Sequence, residues 1–188
     1  MNTVNMTQKA SKRLASIIFN EQCSIKVNDN ELQEQLDKIF RESRFYTTFE
    51  TNLQRAIALG SSAIRPYVED DQVKLNWSDA LGVYPLNANT TEVKEIALAR
   101  KIMKTVNDEP HYYTLLEFHQ WGKKQADENG NEYTPYTITN ELYESTDEGT
   151  TGTQIPLNSL EEYADLPQTA TFTHITKPLF AFYRNPGD

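Results

Sequence analysis

The chain has 188 residues, of which 38% are hydrophobic; its mean hydropathy is −0.66 and its net charge −9. That length suits one domain or two small ones with a real core, and the 10 Tyr, 8 Phe and 2 Trp argue against disorder. One cysteine, Cys23, excludes an internal disulfide framework, and with no apolar run near ~18 residues and no secretory h-region the protein is expected in the cytoplasm.

The first elements are helical. Ala10, Leu14, Ile17 and Ile18 share one face of a predicted helix over 6–19, with Lys9, Lys12 and Arg13 elsewhere. A second helix is expected from Asn28-Asp29, with Asn28 and Glu31 spaced as a capping box and Leu32, Leu36, Ile39 and Phe40 repeating at helical spacing. A third follows Ser43, with Phe45, Phe49, Leu53, Ala56 and Ile57 inward and Gly60 as its C-terminal cap.

After Gly60 the period changes to alternation. Residues 63–77 read as a hairpin turning at Glu69-Asp70-Asp71-Gln72, and Pro66 puts its strand at an edge or bulge. Residues 79–91 read as a connection. Segments 95–105, 112–121 and 136–144 form a candidate antiparallel meander, with Asn107–Pro110 as one turn and Asn129-Gly130 inside the tract that makes the other. Residues 147–153 read as a mobile loop, 155–166 as holding one helical turn, and 169–176 and 179–183 as further strands.

The architecture expected is therefore α+β: three short N-terminal helices packed on a mostly antiparallel β-sheet, with a helical segment 1–60 and a β-rich segment 61–188. Residues 1–60 hold 8 Lys/Arg against 7 Asp/Glu, whereas residues 61–188 hold 10 against 20. An acidic surface disfavours gripping phosphate, since nucleic-acid affinity rests on cations displacing counterions; an acidic wall past which DNA slides is compatible with it.

Chemistry is sparse. YYTLLEFHQW at 112–121 sets Glu117 and His119 on one face of a strand beside Trp121. Two such ligands fall short of the three or four a zinc site wants, and His111, on the same face, lies about 26 Å from His119 along an extended strand. Glu117 and His119 are therefore read as surface residues of a sheet, with a small metal-dependent hydrolase using the pair as the competing reading. No C-x-x-C, H-E-x-x-H, G-x-S-x-G, Walker or G-x-G-x-x-G pattern occurs. The acidic pairs at 69–71, 127–128, 147–148 and 161–162 lack the spacing of a calcium loop and read as solvated turns, and Arg100, Lys101 and Lys104 as a solvated cationic face. Catalytic, cofactor-binding and metal residues are all expected to be none. The aromatics exceed what a thin sheet can bury, which points to a share in a protein interface and leaves a stand-alone protein-binding module as a further reading.

Five segments carry a resemblance: KRLASIIFNEQCSI at 12–25, FYTTFETNLQRAIALGSSAIRPYVEDDQVKLNW at 45–77, YYTLLEFHQW at 112–121, YTITNELYES at 136–145 and KPLFAFYRNPGD at 177–188. In this order they resemble portal proteins of tailed bacteriophages, above all those of siphophages and prophages of Gram-positive bacteria. The weight rests on collinearity, especially in ASIIFNEQC, ALGSSAIRPY and TITNELY.

The resemblance implies a structural, non-enzymatic protein without cofactors. It would form a homo-oligomeric ring, commonly a dodecamer, at one capsid vertex, through which DNA is packaged and ejected without sequence-specific binding. Implied partners are its own copies and the capsid, scaffold, terminase and head–tail connector proteins, with no membrane. The implied location is the virion, with assembly in the host cytoplasm. Family members continue past the position of Asp188 into a tunnel helix, clip and crown. The chain is therefore expected to be the N-terminal wing region, one wing-like domain truncated at its C-terminus, as an engineered fragment or an interrupted prophage gene.

Overall fold

A computed structural model describes residues 5–19, 23–89 and 92–185. The chain divides into two compact units, one comprising residues 1–81 with 179–188 and the other residues 82–178.

The first unit holds three helices and a small sheet. Helix α1 spans Met6–Ile18, capped by the Asn5 side chain, which accepts from the Gln8 N–H at 3.0 Å. Its buried residues are Ser11 and Ala15, small side chains one turn apart that face α3 (Phe45–Leu59). The Ser11 hydroxyl is satisfied within its own helix, donating to the Thr7 carbonyl at 2.8 Å. The apolar stripe read from the sequence is consequently not the packed face: Leu14, Ile17 and Ile18 are exposed. Small residues win the interface because they let two helix backbones approach, whereas long aliphatic ones hold them apart.

Helix α2 spans Asn30–Glu42, and its N-cap is Asp29, whose carboxylate accepts from the Leu32 N–H at 3.0 Å. The expected capping box at Asn28 and Glu31 is thus replaced by a simple cap one residue on, because the residue three after Asp29 is Leu32, whose side chain cannot bond back. Both Asn28 and Asp29 are competent caps, and the lead-in is set by Gln33, whose side-chain oxygen accepts from the Val27 N–H at 2.9 Å. Helix α3 presents Phe45, Leu53 and Ala56 as buried and Phe49 and Ile57 as half-buried, as its spacing predicts. Gly60 ends it at φ 93°, its N–H donating to the Ala56 carbonyl, a left-handed cap that glycine adopts at least cost.

The small sheet has the order β11-β1-β2, built from β1 (Ser61–Glu69), β2 (Gln72–Asp79) and β11 (Ala181–Arg184), all antiparallel. Asp70 and Asp71 turn the hairpin with φ of 52° and 55°, the two left-handed residues of a tight hairpin turn that Asp and Asn tolerate. Pro66 pairs with Leu75, whose N–H points away from β1 to the Ser43 hydroxyl at 2.8 Å. Pro66 therefore faces the side where β11 pairs only residues 61–64, so its missing N–H costs no ladder bond.

The second unit is a larger sheet of order β10-β8-β5-β4-β3, with β9 pairing β8 beside β10. Its strands are β3 (Val83–Ala88), β4 (Val93–Val106), β5 (Glu109–Trp121), β8 (Tyr136–Ser145), β9 (Thr153–Ile155) and β10 (Thr169–Phe172). A separate two-stranded ribbon, β6 (Gln125–Ala126) with β7 (Glu132–Tyr133), closes through the Asn129-Gly130 turn. The expected meander is β4-β5-β8, and Asn107-Asp108 turns its first hairpin with both φ values positive. Two points differ from the sequence reading. The connection at 79–91 contains the edge strand β3, whose register is broken around Pro85 and Asn87, and the single helical turn at 155–166 is two short 3-10 turns, Leu157–Ser159 and Glu161–Tyr163. These turns lay Leu160 and Tyr163 against Tyr113, Leu115 and Leu142, forming the core of this unit.

Candidate functional site

The alternation of β5 sends Tyr113, Leu115, Glu117 and His119 to one face, all four buried, while Tyr112, Thr114, Leu116 and Phe118 are half-buried on the other. The face assignment from sequence holds, but the reading of Glu117 and His119 as surface residues does not: Glu117 is 6% exposed and His119 0%. Ladder neighbours explain part of this burial, because His119 lies between Ile96 on β4 and Ile138 on β8, and Glu117 between Leu98 and Asn140. A strand in the middle of a sheet has its flanks filled by its neighbours, which are specified far away in sequence.

His119 makes two hydrogen bonds, Nε2 to Glu117 Oε1 at 2.6 Å and Nδ1 to the Tyr136 hydroxyl at 2.7 Å. The tautomer decides which nitrogen donates, but either way one ring nitrogen is engaged by a carboxylate and the other by a hydroxyl. Tyr136 is fully buried, with the Trp121 ring edge-on at 4.8 Å between centroids. Both imidazole nitrogens thus serve hydrogen bonds, so a metal ion could take either one only after a buried bond broke. Among the described residues no group of three or more His, Cys, Asp or Glu is placed to hold a metal ion.

Next to Glu117, Asn140 is 4% exposed. Its amide N–H donates to the Pro167 carbonyl at 2.8 Å, and its side-chain oxygen has no partner among the described residues. The bond to Pro167 fixes which end of the amide is which.

His111, on the same face of β5, forms a second and more open pair, Nδ1 to Glu144 Oε1 at 2.8 Å. That bond, then one from Tyr113, holds the Glu144 carboxyl below its ordinary range, while burial first and Glu144 second push the Tyr113 hydroxyl up. The other candidates disperse. Lys104 grips both carboxylate oxygens of Glu162, at 2.5 and 2.7 Å, and holds its carboxyl below the ordinary range. Lys101 donates to the Glu148 carbonyl and lies 5.3 Å from the Tyr112 ring. Asp127 accepts from Asn131 and Asn129, which depress its pKa, the Asn131 side chain most. The Cys23 thiol donates to the Ile18 carbonyl at 3.4 Å. An open groove of about 710 Å³ runs past Trp121, Tyr133 and His174, but its charges are mutually engaged, Lys124 with Glu132 and Lys94 with Glu92.

The surplus of aromatics divides. Phe19, Phe40, Phe45, Phe49 and Trp77 form one ring cluster in the first unit, with Phe40–Phe45 and Phe19–Phe49 centroids both 4.3 Å apart. Tyr46, Tyr84, Phe172 and Tyr183 stay exposed.

Among the described residues the geometry supplies strand-locking networks and no assembled nucleophile, and sequence comparison assigns the chain a family. The model for phage portal proteins of the SPP1 Gp6-like type matches residues 1–172. The chain belongs to the phage portal protein family. No curated protein matches it. A phage portal structural role accords with side chains spent on holding strands in register. Among the described residues of this portal chain, no helix is long and apolar enough to cross a membrane.

The sequence reading missed Tyr136 as the hydrogen-bond partner of His119 and Asn140 as the ladder neighbour of Glu117. The signal lay in the β5–β8 register, which sets Trp121 opposite Tyr136 and Glu117 opposite Asn140. That register follows a connection of 14 residues, 122–135, too long for turn chemistry to dictate.

Proposed function

We propose that this chain forms the outer wing region of a portal subunit, in a ring at one capsid vertex through which DNA enters and leaves the head. The helical segment 1–60 and the β-rich segment 61–188 act together as that region. The observation that carries this reading is the family match over residues 1–172, collinear with nearly the whole chain. The wing has no catalysis, cofactor or metal of its own: Glu117 and His119 serve to lock β5 to β8, and the packaging ATPase belongs to the terminase that docks on the ring. The surplus of acidic residues, −9 overall, repels phosphate and so suits a region of the ring that does not grip DNA. Capsid, scaffold, terminase and connector proteins are the partners on this reading, and the virion is its location after assembly in the host cytoplasm.

The test is electron microscopy of the protein as its own gene encodes it, beside the 188-residue chain. Rings with a central tunnel are expected from the gene-encoded protein. A gene-encoded protein that stays monomeric at high concentration would overturn the proposal.

A further inference from the structure

We infer that α1 docks on the β1–β2 hairpin tip of a second copy of this chain. The inference rests on the portal reading and names the surfaces through which neighbouring copies meet.

Two apolar surfaces of the first unit lie open. On α1, Leu14, Ile17 and Ile18 form one stripe, with Ile17 58% exposed, because the helix packs on α3 through Ser11 and Ala15 instead. Solvated helices normally turn such a stripe inward, so the inverted arrangement marks a surface awaiting cover. On the hairpin, Val68 and Val73 are a cross-strand pair on the same face, 70% and 42% exposed. They extend the Pro66–Leu75 pair outward, along the part of β1 that β11 does not reach. Both surfaces are exposed among the described residues of one copy.

Their charges are opposite. The α1 segment 5–19 carries Lys9, Lys12 and Arg13 and no acidic residue, and helical spacing sets Lys9 and Arg13 along the border of the stripe. The hairpin tip carries Glu69, Asp70 and Asp71, of which Glu69 is paired with Lys74 at 2.5 Å, leaving the two turn aspartates to lead the tip. An apolar stripe edged by cations and an apolar ladder tipped by anions are complementary, and the two surfaces are different patches of the same chain. Such a head-to-tail contact repeats from copy to copy and closes into a ring when the rotation allows it.

The test is sedimentation velocity of the 188-residue protein over a range of concentrations, at about 50 mM and about 500 mM salt, since exposed charge pairs are screened at high ionic strength. The wild type is expected to self-associate, less so in high salt. Leu14→Asp with Ile17→Asp, and separately Val68→Asp with Val73→Asp, are each expected to abolish association. A mixture of the two variants should give a heterodimer and nothing larger, because each retains the surface the other lacks.

A charge-swap pair provides a second route that leaves the apolar residues untouched. Lys9→Glu with Arg13→Glu should lose association and regain it when mixed with Asp70→Lys, Asp71→Lys protein. A monomeric wild type at every concentration, association indifferent to all variants, or mixtures that stay monomeric would each overturn the inference. Rings from the gene-length protein that ignore these substitutions would overturn this contact and leave the portal reading intact. Heterodimers from the mixed variants, with no ring from the gene-encoded protein, would do the reverse.

Discussion

The inner face of the large sheet is held in two different ways at its two ends. At one end Tyr113, Leu115 and Leu142 meet Leu160 and Tyr163 in an apolar core. At the other, on the same strands, Glu117, His119 and Tyr136 are equally buried but held by directed hydrogen bonds. The apolar end is non-directional, so it tolerates exchanges that conserve volume. The polar end is directional, so removing one member strands the others in a dry environment, whereas replacing the set by apolar groups need cost little.

The largest effect expected is at the apolar end. Leu142 is fully buried, and Leu142→Ala should lose about 2–5 kcal/mol of unfolding free energy through lost transfer and an unfilled cavity, read as a lower urea midpoint with unchanged slope. Leu142→Met should recover most of that. If the two substitutions cost the same, the core there is not closely packed.

At the polar end, His119→Leu should cost about 3 kcal/mol by leaving the Glu117 carboxyl buried without the imidazole. The double variant Glu117→Leu, His119→Leu should be more stable than that single one. A double-mutant cycle with no coupling between the two positions would place Glu117 outside the network and remove the contrast between the ends.

A smaller effect is expected where β9 closes over the apolar end. Gly152 has φ +81°, and a Cβ there would lie 1.9 Å from the Glu144 carbonyl oxygen. Gly152→Ala should therefore cost about 1–3 kcal/mol in backbone strain, with loss of amide-exchange protection along β9. Protection unchanged in the variant would show that β9 contributes nothing to covering this core.

Legibility in the sequence followed the range of the signal. The face and the C-terminal end of α3 are legible in the sequence, because Phe45, Leu53, Ala56 and Gly60 declare them within one segment, whereas its N-terminus, capped by Arg44 without a side-chain bond, carries no such signal. The β4–β5 hairpin was readable because Asn107-Asp108 determines its register locally. On β5 the alternation revealed which residues share a face and was silent on which face is covered. That depends on Leu160 and Tyr163, some 40 residues downstream, and on the β5–β8 pairing. The exposed stripe of α1 is the converse: periodicity detected the apolar face, while the choice of Ser11 and Ala15 for packing depends on the shape of α3.

The smallest effect expected is one of pH, and it separates the two histidine pairs. Glu144, 33% exposed at its side chain, has a carboxyl lowered from its ordinary 4.5 chiefly by the hydrogen bond from His111. A carboxyl whose folded pKa is depressed contributes stability that is fully present above its unfolded value and is lost as pH falls through the folded one. Glu144→Gln should therefore be less stable than the wild type near neutrality, and the gap should narrow as pH is lowered from about 4.5 through the depressed value. Urea midpoints over that acid range measure it, and a gap that stays constant with pH would mean that Glu144 stabilises β8 by its shape and not by its charge. Partial exposure keeps the effect small, since solvent screens the pair. The His119 pair, by contrast, is dry, and its effect should be read in packing and strand register.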